Sequence, residues 1–265
     1  MIGVLFRHHV RLHRVPLVPL ALGLALFEWI MTVVAREPSI SRFLGEALRA
    51  APPEFLALLN QDLLAIASPA GIVGIGYTHP FALMMMAVWA VRVPSAALAG
   101  EIGRGTMDLV AARPVVRGAH VVAAALALLA GLTVLALAAW LGTFVGLVGH
   151  PLEGVTAWRF LPVAAGLWLL FASVGAVAIF VSALAREAGT AIAWSSGLLA
   201  GSYVLDYAAR VWPRIASLRP LSLFRYYEPQ QAMIAGLASY DVEILVAVAA
   251  AALLLAFAVF SRRDL

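Results

Sequence analysis

The chain has 265 residues, of which 63% are apolar and 12% charged. Soluble domains run at roughly 45–50% apolar and about 25% charged, so this composition belongs in a bilayer. There is no cysteine, which excludes disulfide frameworks and thiolate metal sites. The formal charge is +4, and all 18 basic residues are arginine. Without lysine the chain has neither the residue a Walker loop uses to reach nucleotide phosphates nor an amine for Schiff-base chemistry.

A spanning helix takes about 20 mostly apolar residues, and six segments meet that length, at 16–35, 71–91, 121–148, 160–184, 190–206 and 244–260. The expected fold is an all-α polytopic transmembrane bundle of about six spans. With the N-terminus inside, ten of the 18 arginines fall on the cytoplasmic side; Arg11 and Arg14 abut the first span, and Arg262 and Arg263 close the last. Both termini are therefore expected to be cytoplasmic. The basic start, MIGVLFRHHVRLHRVPLVPL, has no small-residue cleavage site after its apolar run and reads as retained.

Residues 1–15 predict an amphipathic helix on the cytoplasmic surface, with Arg7, Arg11 and Arg14 on one stripe and Ile2, Leu5, Phe6 and Val10 on another. Its role is either to anchor the first span to anionic lipid or to dock a partner. His8, His9 and His13 have no carboxylate nearby in sequence and are not read as a metal site. Glu28, more than halfway through the first span, is expected to make an inter-helix hydrogen bond or to snorkel outward, with lining a substrate path as the alternative. The first outer segment carries Pro52-Pro53 and then EFLALLNQDLLAIA, whose Phe55, Leu56, Leu59, Leu63 and Ile66 predict a second surface helix. His79-Pro80 in the second apolar segment predicts a kink, with proton handling the alternative.

Between the second and third spans runs SAALAGEIGRGTMDLVAARPVVRGAH, residues 95–120. Its glycines at 100, 103 and 105 break a helix, Thr106 can cap a new one, and Pro114 ends that one. The product is an elbow followed by a helix of about two turns, a projection that a separate protein can grip; the alternative is an ordinary solvated loop. Gly142 and Gly146, and Ala193, Gly197 and Gly201, recur at four-residue spacing, which permits close helix approach. Whether those faces meet within one chain or between two copies is left open by the pattern. Asp206 ends the fifth span, facing the outer interface within reach of Arg210 at i+4. The stretch 207–243 reads as an outer re-entrant or interfacial segment, with Trp212, Phe224, Tyr226 and Tyr227 at the headgroup level.

The 95–120 stretch resembles the cytoplasmic signature of ABC transporter permeases of the type-two exporter class: a glutamate, Gly-Thr four residues on, a short helical run, then Pro-Val and an arginine three residues after the proline. The matching positions are Glu101, Gly105, Thr106, Pro114, Val115 and Arg117. His79-Pro80, FRYYEPQQAMIAG at 224–236 and the closing Arg-Arg pair agree with it; Ala124 and Val116 stand where that class often has lysine and serine. The resemblance implies a single permease domain over 1–265, with a connecting helix at 1–15 and a coupling segment at 92–120 whose surface includes Glu101, Gly105, Thr106, Asp108, Pro114 and Arg117. It further implies two copies of a separate ABC ATPase that carries the ATP and Mg, and a second permease copy or paralogue. The chain itself is expected to bind no cofactor or nucleic acid and to catalyse nothing, working as a multi-pass protein of a bacterial or archaeal plasma (inner) membrane. Two other classes remain: a proton-coupled carrier using Glu28, His79 or Asp206, and an intramembrane enzyme, for which neither GxSxG nor HExxH is present.

Overall fold

The computed structural model describes residues 2–52, 67–105 and 117–263. Its elements are α1 (Ile2–Val34), α2 (Pro38–Ala50), α3 (Pro69–Gly76), α4 (Pro80–Ala97), α5 (Ala99–Gly103), α6 (Gly118–Gly149), α7 (Leu161–Leu184), α8 (Ala188–Val211), α9 (Pro229–Ala235) and α10 (Ser239–Ser261). Short 3₁₀ turns at Ala157–Phe160, Pro213–Leu221 and Leu223–Tyr226 join them. No strand occurs among the described residues. Five stretches, Ile2–Val34, Pro69–Ala97, Gly118–Gly149, Ala157–Leu184 and Ser239–Ser261, are long and apolar enough to cross a membrane. The sixth, α8, is as long as α7 but carries serines, Asp206 and Arg210.

Contacts along these helices fix their directions. Gly142 meets Ala25 and Gly146 meets Thr32, so α1 and α6 run parallel. The pairs Phe27–Phe81 and His13–Trp89 run in opposite order, which makes α4 antiparallel to α1. Ser173 bonds Leu245 while Arg263 bonds Ala183, so α10 runs parallel to α7 and brings the C-terminal turn to the end of α7. The first turns of α1, residues 97–105 and 117–118, the 185–187 turn and Arg263 thus share one end of the bundle. That arrangement is a helical polytopic bundle of close to six spans.

Glycine makes the tightest seams possible. A side-chain carbon at Gly142 would lie 2.1 Å from the Ala25 carbonyl oxygen, and one at Gly131 would lie 2.0 Å from the Trp89 indole. Small residues at these points let backbones or large rings close up where any Cβ would hold them apart. The Gly142/Gly146 face is therefore an internal seam. Gly197 and Gly201 on α8, by contrast, face open space.

Three features differ from the sequence expectation, and one helix, α2, falls where none was expected. The basic N-terminal turns do not form a separate surface helix: α1 continues through Pro16 and Pro19 without a break, and its inward stripe is Phe6, His9 and His13, with Arg7, Arg11 and Arg14 exposed. Parallel alignment with the equally long α6 gives the apolar side of these turns a protein partner, which replaces a lipid surface. Within the outer segment, α2 presents Ile40, Leu44 and Leu48 at four-residue spacing to the bundle, starting on Pro38 at its first turn. Of the four aromatics placed at the headgroup level only Trp212 is exposed; Phe224, Tyr226 and Tyr227 are buried, because two 3₁₀ turns and α9 fold this stretch back onto α7, α8 and α10. Glu28 neither snorkels nor bonds, as described below. The surface helix expected at 53–66 lies outside the described residues.

Candidate functional site

The elbow after the second span is locked to the rest of the bundle at both ends. On entry, α4 ends at Ala97 and the chain turns into the five-residue α5. The Ser182 hydroxyl of α7 fastens this corner, donating to the Pro94 carbonyl (2.9 Å) and accepting from the Ala99 amide (3.0 Å). The Ala99 amide is one that a helix start would otherwise leave unsatisfied, and the Pro94 carbonyl also accepts from the Leu98 amide at 3.4 Å. Gly103 lies so close to the 185–187 turn that a Cβ would sit 3.2 Å from the Arg186 carbonyl oxygen. Gly105 then takes φ +67°, the left-handed conformation that glycine adopts without strain, and ends α5. Glu101 pairs with Arg104 at 2.5 Å, but Arg104 is 55% exposed, so the pair sets geometry more than stability.

On exit, the Arg117 guanidinium donates to the Arg263 carbonyl. Arg263 in turn donates from Nη1 to the carbonyls of Ala183 (2.6 Å) and Ala185 (2.8 Å), capping the C-terminal end of α7 with positive charge. Burial and the neighbouring Arg186 lower the Arg263 pKa, yet a guanidinium stays charged at physiological pH. Glu101, Gly105 and Arg117 are thereby brought to one end of the molecule. Thr106, Asp108 and Pro114 lie outside the described residues.

The polar residues at membrane depth do not converge on one site. Glu28 is fully buried, and neither carboxyl oxygen has a hydrogen-bond partner. Its carboxyl presses on Gly76, where a Cβ would come within 2.4 Å of Oε2. Next to it the second span is broken at 77–79. The Tyr77 hydroxyl there pairs with Thr143 (2.9 Å), while the Tyr77 carbonyl accepts from the Tyr227 hydroxyl (3.3 Å). His79 is exposed and serves as the N-cap of α4, its Nδ1 accepting from the Phe81 amide at 3.2 Å. Pro80 supplies the first helical position, so the residue pair makes the break. Asp206 is 2% exposed and binds Arg210 (2.7 Å) and Arg219 (2.9 Å), with Glu228 joining Arg225 (3.1 Å) alongside. The i+4 partner of Asp206 follows from helical spacing; Arg219, reached across a 3₁₀ turn, carries no local sequence signal.

One open groove of about 390 Å³ runs between α4 and α8, lined by Met84, Val88, Arg92, Ile192, Ser196 and Leu199 among others. It is mostly apolar, with Arg92 and Ser196 as its polar groups.

A family model described as ABC-2 family transporter protein matches residues 25–265. The chain belongs to that family. No curated protein matches it. Membership makes this bundle the membrane component of an ABC transporter, and it places the elbow, the broken second span and the outer aromatic segment all within the matched region.

Proposed function

We propose that this chain is the permease subunit of an ATP-driven exporter, powered by a separate ATPase that docks on the 101–117 segment. The observation that carries the reading is the double attachment of that segment. One end is fixed to α4, α7 and the start of α8 through Ser182 and Gly103, and the other to α10 and α7 through Arg117 and Arg263. A push delivered there is shared at once among most of the spans, where a freely hinged loop would absorb it. Rigid packing of this kind converts a local displacement into a change of helix arrangement.

The chain has no lysine for a Walker loop, so ATP and Mg belong to the partner, expected in two copies. Residues 1–265 act as one permease domain in this reading, and the multi-pass bundle resides in a bacterial or archaeal plasma membrane with both termini on the ATPase side. A second permease copy or paralogue is accommodated on α8, whose Trp194 and Leu198 are exposed beside the open Gly197 and Gly201 face. The α4–α8 groove, on the opposite face of α8, is the surface along which substrate would pass. Glu28, buried against Gly76, is a group to be uncovered on rearrangement, and His79 acts as a helix cap. The proton-coupled carrier loses support, since His79 caps a helix and Asp206 is held by two arginines.

The test is purification of the tagged chain from its native membrane in mild detergent, with mass spectrometry and an ATP-hydrolysis assay, alongside Glu101→Arg. Co-purification of a Walker-containing ATPase that Glu101→Arg loses supports the reading. A chain that purifies alone with no ATP hydrolysis overturns it.

A further inference from the structure

A separate cavity of about 140 Å³ lies at the junction of α1, α4 and α6, on a different side of α4 from the groove. It is about as large as an engineered apolar cavity known to stay dry and to take up small apolar ligands. Its walls are aliphatic and aromatic, from Phe6 and Leu17 on α1 to Trp89 on α4. The Trp89 wall is fixed: its indole N–H donates to the Leu128 carbonyl (3.1 Å), and Gly131 leaves the room its ring occupies.

Two histidines, His9 and His13, break this lining, and His9 is the deeper of them. His9 is 3% exposed and borders the cavity, and neither ring nitrogen has a hydrogen-bond partner. An imidazole both donates and accepts, so an orphaned one at a cavity wall leaves two bonds unmade, each costly to forgo. Water is a poor candidate to make them, because it needs two to four polar partners and this lining offers few. The fitting occupant is an apolar chain with a single polar linkage.

Two further observations identify that chain's source. Val10 and Val134 edge the cavity and are 36% and 44% exposed on the bundle's outer face, so the opening is lateral, toward the bilayer. Exposed Arg7, Arg11 and Arg14 project from the same turns of α1, and Arg92 lies within electrostatic reach of His13, as does Arg104, which is paired with Glu101. This concentration of cations complements an anionic headgroup.

We infer that the α1–α4–α6 cavity is a binding site for an anionic membrane lipid, the first few methylenes of one acyl chain filling the cavity and the rest running out toward the bilayer, its ester linkage bonded to His9 and its headgroup held by the arginines of α1. A lipid seated there wedges the basic turns of α1 against α4 and α6 at the end of the bundle that carries the elbow. The site is independent of the transport reading.

The test uses the full-length chain reconstituted with a trace of phosphatidylglycerol bearing a photoreactive acyl chain, followed by peptide mapping. The expected result is labelling concentrated on the peptides around 6–17 and 127–134, competed by unlabelled phosphatidylglycerol and not by phosphatidylcholine. Ala130→Phe, which fills the cavity, should reduce that labelling to the level of the exposed α10 surface at Leu254 and Leu255. His9→Leu should reduce it, and His9→Gln, which keeps a donor and an acceptor, should restore it. Labelling no higher than on α10, or unchanged by both Ala130→Phe and His9→Leu, overturns the site. Equal competition by phosphatidylcholine overturns the choice of an anionic lipid.

Discussion

Substituting Gly142 by alanine adds one methyl group at the point where α6 touches the backbone of α1. The new carbon would lie 2.1 Å from the Ala25 carbonyl oxygen, 2.8 Å from its carbonyl carbon and 2.9 Å from its Cα, where ordinary contact begins near 3.4 Å. Because the obstacle is backbone, no rotamer change relieves it. The two helices must separate by roughly 1 Å, a gap that forfeits about a quarter to a half of the dispersion energy of each contact it opens. Overpacking of this kind costs about 1–3 kcal/mol, which for a chain of this size lowers the melting temperature by roughly 3–10 °C. The assay is thermal unfolding of the purified chain in detergent, followed by size-exclusion fluorescence. Gly149→Ala is the control, since a side chain at the end of the same helix meets nothing within 4 Å. If Gly142→Ala melts with the control, α1 and α6 are not in backbone contact and the seam described here is wrong.

Arg117→Ala removes the link to the Arg263 carbonyl while leaving the entry side of the elbow intact. The expected outcome is an ATPase that still co-purifies but hydrolyses ATP at the rate of the isolated enzyme, read by comparing yield and turnover. Glu28→Met deletes a buried carboxyl with no hydrogen-bond partner. Relief of about 1–3 kcal/mol should raise the melting temperature, while ATP hydrolysis stimulated by substrate falls if the carboxyl is uncovered during transport. Asp206→Asn leaves Arg210 and Arg219 without their counter-charge at a site where the carboxylate is 2% exposed. Removing one partner of a buried pair costs about 3–5 kcal/mol, discounted here because both guanidinium groups retain some water; lower melting together with faster proteolysis at 213–226 is the expected readout.

The spans were legible because twenty or so apolar residues in succession leave few alternatives in a bilayer. The break before α4 was equally legible, since proline fixes φ and removes an amide donor at a known position. The Asp206–Arg210 pair follows from helical periodicity alone. What could not be read are consequences of which helices become neighbours. Phe224, Tyr226 and Tyr227 have the composition of a headgroup belt, yet 3₁₀ turns around Pro213 and Pro220 bend them inward onto the bundle. His9 and His13 share a stripe with Phe6, and only the parallel packing of α1 beside α6 shows that this stripe faces protein. For the elbow, Glu101, Gly105 and Arg117 were singled out by pattern; Ser182, which fastens its entry, sits in unremarkable sequence 83 residues from Ala99, and the closing Arg262-Arg263 pair was noted without any sign that Arg263 meets Arg117, 146 residues away.

The central claim is that force enters through the elbow from a separate ATPase. Its most direct test is cysteine crosslinking between position 101, through Glu101→Cys in this cysteine-free chain, and the co-purified ATPase in native membranes. The account predicts a crosslinked adduct containing a Walker-motif protein, whose formation changes on adding ATP. Crosslinking to lipid-facing controls alone, with no ATPase adduct in the presence or absence of ATP, would contradict it.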